Sequence, residues 1–148
     1  MKVETTKFGL VEVPEDKVIT MSEGMVGFPD KRRFCIIPHK KDSPFFWYQC
    51  LDDPELAFVI TNPWLFKPDY QIDVDPAIQA MGLDGHDENA AVECYVTVTI
   101  PKGEPEKMTA NLIGPIVICP QTGQALQMVL ANEAYSHKHP LVGKAAAG

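Results

Sequence analysis

Two imidazoles stand two residues apart in His137-Lys138-His139. On an extended chain that spacing puts both on one side, where they could share a metal ion. A third ligand would come from Glu133 or His86, giving a metal-dependent enzyme with a His/Glu site near the C-terminus. The competing account is an ordinary polar C-terminal segment. The four cysteines, Cys35, Cys50, Cys94 and Cys119, are widely separated and form no Cys-x-x-Cys pair. A four-cysteine zinc site brings its ligands in close pairs, so these read instead as small hydrophobes with reduced thiols. Asp52-Asp53 precede Pro54 and read as a turn rather than an acid–base pair. There is no nucleophile elbow and no phosphate loop; Gly24-Met25-Val26-Gly27 lacks the third glycine and the lysine that a phosphate loop needs.

The basic clusters are Lys31-Arg32-Arg33 and Lys40-Lys41, with Phe34, Phe45, Phe46 and Trp47 nearby. That combination suits a nucleic-acid-binding β-barrel, where rings stack on bases and cations follow the backbone. The overall charge argues the other way. The chain has 13 Lys+Arg against 20 Asp+Glu, a net of −7. From Pro68 to Pro101 there is no Lys or Arg, and that stretch holds Asp69, Asp73, Asp75, Asp84, Asp87, Glu88 and Glu93. The remaining 13 carboxylates balance the 13 basic residues. Such a block is either a solvated face or a docking surface for a cationic protein.

The elements that must position these residues are short. Thirteen prolines punctuate a chain of 148 residues, and Pro interrupts helices and central strands alike. Val92 to Ile100 alternates apolar and polar residues, which predicts a strand with one row in a core and one towards water. Arg33 to Ile37, Phe45 to Leu51, Leu56 to Thr61, Ile116 to Cys119 and Gln124 to Leu130 read as further strands. Pro120 to Gly123 reads as a hairpin turn. Lys2 to Val13 reads as a strand interrupted at Gly9, and Lys17 to Met21 as another. One short helix is predicted, capped by Asp75, with Pro76 in its first turn and Gly82 at its end.

The expected fold is therefore all-β: a small single-domain antiparallel barrel or two packed sheets, with one short helix. The domain is expected over 1–139, with a mobile tail over 140–148. No apolar stretch follows Met1-Lys2-Val3-Glu4, and the longest tight apolar run, Leu56 to Ile60, is far short of a membrane span. A cytoplasmic protein away from membranes is the expectation. Asn62 to Tyr70 carries three aromatics and two prolines beside acidic residues, a composition that suits a protein-binding loop or a flap folded onto the core.

Several stretches together resemble the FliW family of flagellar assembly factors. They are Thr6-Lys7-Phe8-Gly9 with Val11-Glu12-Val13, Glu23 to Phe28, Asp42 to Gln49, Leu56 to Val59, and Pro68-Asp69-Tyr70. Met108 to Leu112, Pro115 to Ile118, and Gly123 leading to Val129-Leu130 complete the series. Cys50 and Cys119 depart from the family's pattern. The resemblance implies a non-enzymatic cytoplasmic factor with no cofactor or metal. It implies two exchanging partners, flagellin and the carbon storage regulator CsrA, a basic RNA-binding dimer that represses flagellin translation. The freed factor would bind and antagonise CsrA without touching nucleic acid itself. The acidic stretch then becomes the expected docking surface: Asp69, Asp73, Asp75, Asp84, Asp87 and Glu88, with Phe66 and Tyr70 as anchors.

Overall fold

The structure is a computed structural model, and it describes residues 1–38, 42–83, 91–131 and 134–141. The strands are β1 (Lys2–Thr5), β2 (Gly9–Glu12), β3 (Ile19–Thr20), β4 (Arg33–Pro38), β5 (Phe45–Cys50) and β6 (Ala57–Thr61). They continue with β7 (Glu93–Thr99), β8 (Thr109–Ala110), β9 (Ile116–Cys119), β10 (Gln124–Gln127) and β11 (His139–Pro140). Among the described residues there is one α-helix, α1 (Asp75–Ala80).

Seven strands close into a barrel in the order β7-β6-β5-β4-β3-β10-β9, with β9 pairing back onto β7. Closure uses Glu93 opposite Ile118, Cys94 opposite Val117 and Tyr95 opposite Ile116. The other half of the same β7 edge takes β8, through Val98 opposite Ala110, and β8 in turn carries β11. All pairings are antiparallel except β3 with β10, a parallel contact of Gln124 with Thr20. The expected barrel is thus the observed one.

Successive side chains alternate between the inside and outside of a barrel. The inward set includes Phe34, Tyr48, Cys50, Ile60, Ile116 and Ile118, all buried in one cluster. Phe34 and Tyr48 stack with ring centroids 4.4 Å apart. The outward set is also covered. The β1–β2 hairpin lies over Cys35, with Val3 and Val13 buried against it. The 62–72 segment, β8 and β11 cover Val96 and Val98, with Tyr70, Leu112 and Leu141. Double coverage explains why β9, Ile-Val-Ile-Cys, is apolar and buried at every position.

This changes the reading of β7. The row of Val96 and Val98 meets the outer layer, whereas Tyr95 packs against the barrel interior. Neither row simply faces water, as the alternation predicted. The break at Gly9 is a hairpin turn between β1 and β2 rather than a bulge in one strand. Thr5 Oγ1 holds that turn, donating to the Gly9 carbonyl (2.9 Å) and accepting from Phe8 N (2.9 Å). The predicted β9–β10 turn is present, with Gly123 at φ +75° and its N–H bonded to the Cys119 carbonyl (2.9 Å). Helix α1 starts on Asp75 itself, so Asp75 is not its cap. Asp73 supplies the carboxylate, accepting from Asp75 N (3.0 Å). At the other end Leu83 N bonds the Ile78 carbonyl (3.0 Å). Of the segment expected as a tail, Pro140 pairs in β11 and Leu141 is buried. Residues 142–148 lie outside the described residues.

Asp52 pins the start of β4 to the turn after β5. Its carboxylate accepts from Arg32 N (3.1 Å), Arg33 N (3.0 Å) and Arg33 Nε (2.9 Å). Partial burial opposes the charge, but the bonds from Arg33 and Arg32 outweigh it and hold the carboxyl below its ordinary value. The stabilisation is therefore complete above the ordinary carboxyl range and fades as pH falls through it. Asp52→Asn is expected to lower stability by about 1–2 kcal/mol at pH 7, discounted for solvent exposure. Urea unfolding should show the gap from wild type narrowing below about pH 4. Gly24 gives a second test. Its φ is +67°, and an added Cβ would lie 2.5 Å from the Phe28 carbonyl oxygen. Gly27, at φ +88°, has open space around it. Gly27→Ala should cost about 1–2 kcal/mol, the left-handed strain alone. Gly24→Ala should cost at least about 2 kcal/mol more, because backbone must move.

Candidate partner-binding site at the barrel mouth

One end of the barrel gathers the end of β4, the start of β5, the end of β6, the start of β7 and the end of β9. The register shows it: Pro38 faces Phe46, Phe45 faces Thr61, Thr61 faces Val96, and Glu93 faces Ile118. Both connections that carry the suspected chemistry, 39–44 and 62–92, begin and end there. Two clefts open at this mouth, and Glu93 lines both. The larger, about 480 Å³, lies between Pro44, Phe46, Trp64, Leu65, Cys94 and Tyr95. The smaller, about 390 Å³, is lined by Lys17, Ile19, Ile36 and Ile118.

The electrostatics of the larger cleft are simple. Tyr95 donates its hydroxyl to Glu93 Oε2 (2.8 Å). Burial, and then that bond and charge, push the Tyr95 phenol upward, so it stays a donor. Burial, with the Glu93 charge, raises the Cys94 thiol to about 11. At neutral pH Cys94 is a neutral thiol, not the thiolate a nucleophile requires. The cleft offers apolar contact and one carboxylate.

Local sequence explains the lip. Asn62 Oδ1 accepts from Trp64 N (2.9 Å), and Pro63 opens a single 3-10 turn, Pro63–Leu65. A 3-10 turn repeats every three residues. Pro63 and Phe66 therefore share the inward side, and Asn62 and Leu65 the outward one. Pro63 is buried, and Phe66 stacks on Phe45 at 6.0 Å, half-buried. Leu65 is 60% exposed and Trp64 37%.

The predicted site residues separate accordingly. Asp69, Asp73 and Asp75 are exposed. Asp69 pairs with Lys67 (3.1 Å), whose hydrogen bond and charge hold its carboxyl below the ordinary range. Asp84, Asp87 and Glu88 lie outside the described residues. Tyr70 is no surface anchor: it is buried, packs edge-on against Tyr135, and donates its hydroxyl to the Leu112 carbonyl. Phe66 turns towards the outer-layer core. The residues missed as lip and wall are Leu65 and Glu93. The Asn-Pro start of a 3-10 turn was the available signal for Leu65, and β7 register gave none for Glu93.

The alternative sites fare as follows. His137 is exposed and His139 sits in β11, while His86 and Glu133 lie outside the described residues. Among the described residues no group of three or more His, Cys, Asp and Glu could hold a metal ion. Of the suggested stacking rings, Phe34 is fully buried and Phe46 packs on the barrel core. Arg33 is paired with Asp52 (2.8 Å) and Lys31 with Asp53 (3.7 Å). Lys40 and Lys41 lie outside the described residues. No helix among the described residues is long and apolar enough to cross a membrane.

The FliW protein family model matches residues 2–141. The chain belongs to the FliW family. It is 41% identical over 144 residues to the "Flagellar assembly factor FliW" of Thermoanaerobacter pseudethanolicus, covering 96% of this chain and 93% of that one. It is 37% identical over 142 residues to the protein of the same name from Magnetococcus marinus, covering 96% and 85%. A solved crystal structure of a flagellar assembly factor FliW superposes with a TM-score of 0.84 at 30% identity, covering 97% of this chain and 99% of that one. In this FliW-family chain Tyr70 is a core residue, and that is testable. Tyr70→Phe should lower stability by about 1–2 kcal/mol in urea unfolding, because the buried Leu112 carbonyl loses its donor. Partner affinity at a temperature where the variant is folded should not change.

Proposed function

We propose that the chain is a non-enzymatic flagellar assembly factor that works by exchanging protein partners in the cytoplasm. It binds flagellin before export, and when free it binds CsrA and keeps that repressor from flagellin messenger RNA. The observation that carries this reading is family membership over residues 2–141, where the matched relatives are named flagellar assembly factors. The charge distribution supports it independently. A small dimer that grips RNA must present basic surface, and the stretch from Pro68 to Pro101 has no Lys or Arg. Asp69, Asp73 and Asp75 expose carboxylates on that stretch. Opposite fields speed encounter and favour correct orientation. The cleft chemistry also suits a binding role, since its one thiol is kept neutral.

Calorimetry with purified CsrA tests the acidic surface. The variant carries Asp69→Lys and Asp75→Lys, with Asp73→Asn to retain the acceptor that starts α1. Affinity at physiological salt should fall at least tenfold, about 1.4 kcal/mol. The loss should shrink as salt rises. Unchanged affinity in a variant that unfolds like wild type removes these carboxylates from the interface.

A further inference from the structure

Trp64 and Leu65 form an apolar lip over a cleft floored by Pro44, Phe46 and Tyr95. Large apolar side chains left exposed beside a concavity mark interaction sites, and aromatic anchors dominate binding energy there. A volume of about 480 Å³ accommodates one or two side chains of a partner. The lip is ordered before anything binds. Trp64 Nε1 donates to the Tyr70 carbonyl (2.8 Å), and Leu65 N to the Asn62 carbonyl (3.2 Å). A preordered site loses little freedom on association.

The charge of the cleft points to the kind of occupant. Glu93 is its charged wall residue; the Tyr95 hydroxyl bonds one oxygen, and a carboxylate has room for further donors. The β7 wall belongs to the stretch without Lys or Arg, so that segment brings no cation of its own to Glu93. We infer that this cleft seats a short segment of a basic protein partner. One apolar side chain packs against Trp64, Leu65 and Phe46, and a neighbouring Lys or Arg of the partner pairs with Glu93. The inference rests on the reading that the chain binds a basic protein, and it adds a seat that uses none of Asp69, Asp73 and Asp75.

Cys94 makes the seat measurable. It lines the cleft and is half-buried, whereas Cys35, Cys50 and Cys119 are buried in the fold. N-ethylmaleimide should add one group to the native protein at Cys94, slowly because the thiol is neutral, as read by intact mass and peptide mapping. Saturating CsrA, the basic partner proposed above, should slow that labelling at least fivefold. Leu65→Ser should weaken CsrA binding about tenfold, and Glu93→Gln about threefold with a smaller salt dependence. Leu10→Ser, at a site 64% exposed on β2, should leave binding unchanged. Calorimetric binding of CsrA without protection of Cys94 and without a Leu65→Ser effect overturns the seat and leaves the partner reading standing. Absence of CsrA binding to wild type overturns both. A free native protein that takes no label at Cys94 shows a closed cleft and also overturns the seat.

Discussion

Barrel closure is the constraint on which the rest depends. β9 must reach the first half of β7, and only three residue pairs make that join. Without it the sheet would present two unpaired edges, and unpaired edges invite association with other chains. With it, every barrel strand has neighbours on both sides, and the inward side chains meet in one cluster around Phe34, Tyr48 and Ile60. The second half of the same edge is left for β8 and β11, which extend the sheet beyond the barrel. Dividing the β7 edge in this way creates the outer layer.

The outer layer then decides what the 62–72 segment can do. Its aromatics have an apolar surface to cover, the outward valines of β7. Tyr70 and Phe66 go there, and Tyr70 adds a hydrogen bond to Leu112 that links the segment to the chain beyond β8. Trp64 and Leu65 are left on the other side of a 3-10 turn, at the barrel mouth. The inner residues hold the outer ones in place: the Trp64 indole bonds the backbone of Tyr70. An exposed apolar lip is thus built on a structural flap, and the buried half of the flap holds it in place.

Charge follows a different logic from packing. Asp69, Asp73 and Asp75, the described carboxylates at the start of the Lys- and Arg-free stretch, are all exposed. Asp73 starts a helix and Asp69 pairs with a neighbouring lysine, but both remain exposed. Glu93 differs because β7 carries it into the mouth, beside Tyr95 and between two clefts. The same residue type is a diffuse field in one place and a specific contact in the other.

Much of this was legible in the residues. Short β-rich segments between prolines predict the strands, and the order of motifs predicts the family, because both are local and survive without knowledge of distant contacts. The all-β class, the short helix near Asp75 and the β9–β10 turn follow from such local signals, whereas the choice between a closed barrel and two packed sheets rests on the distant β7–β9 join. Other features depend on what lies across the fold. Alternation in β7 shows two faces but not that Tyr95 meets the barrel interior while Val96 and Val98 lie under residues 62–72, β8 and β11. An aromatic-rich loop shows surface to bury but not which ring is buried, so Tyr70 reads as an anchor until the Leu112 carbonyl is found beside its hydroxyl. Glu93 looks like one more member of an acidic stretch until closure of the barrel places it opposite Ile118. The sequence by itself determined the strands, the charge and the kinship; tertiary structure alone decided which of those side chains are buried and which stand exposed at the barrel mouth, because burial is set by contacts between residues far apart in the chain.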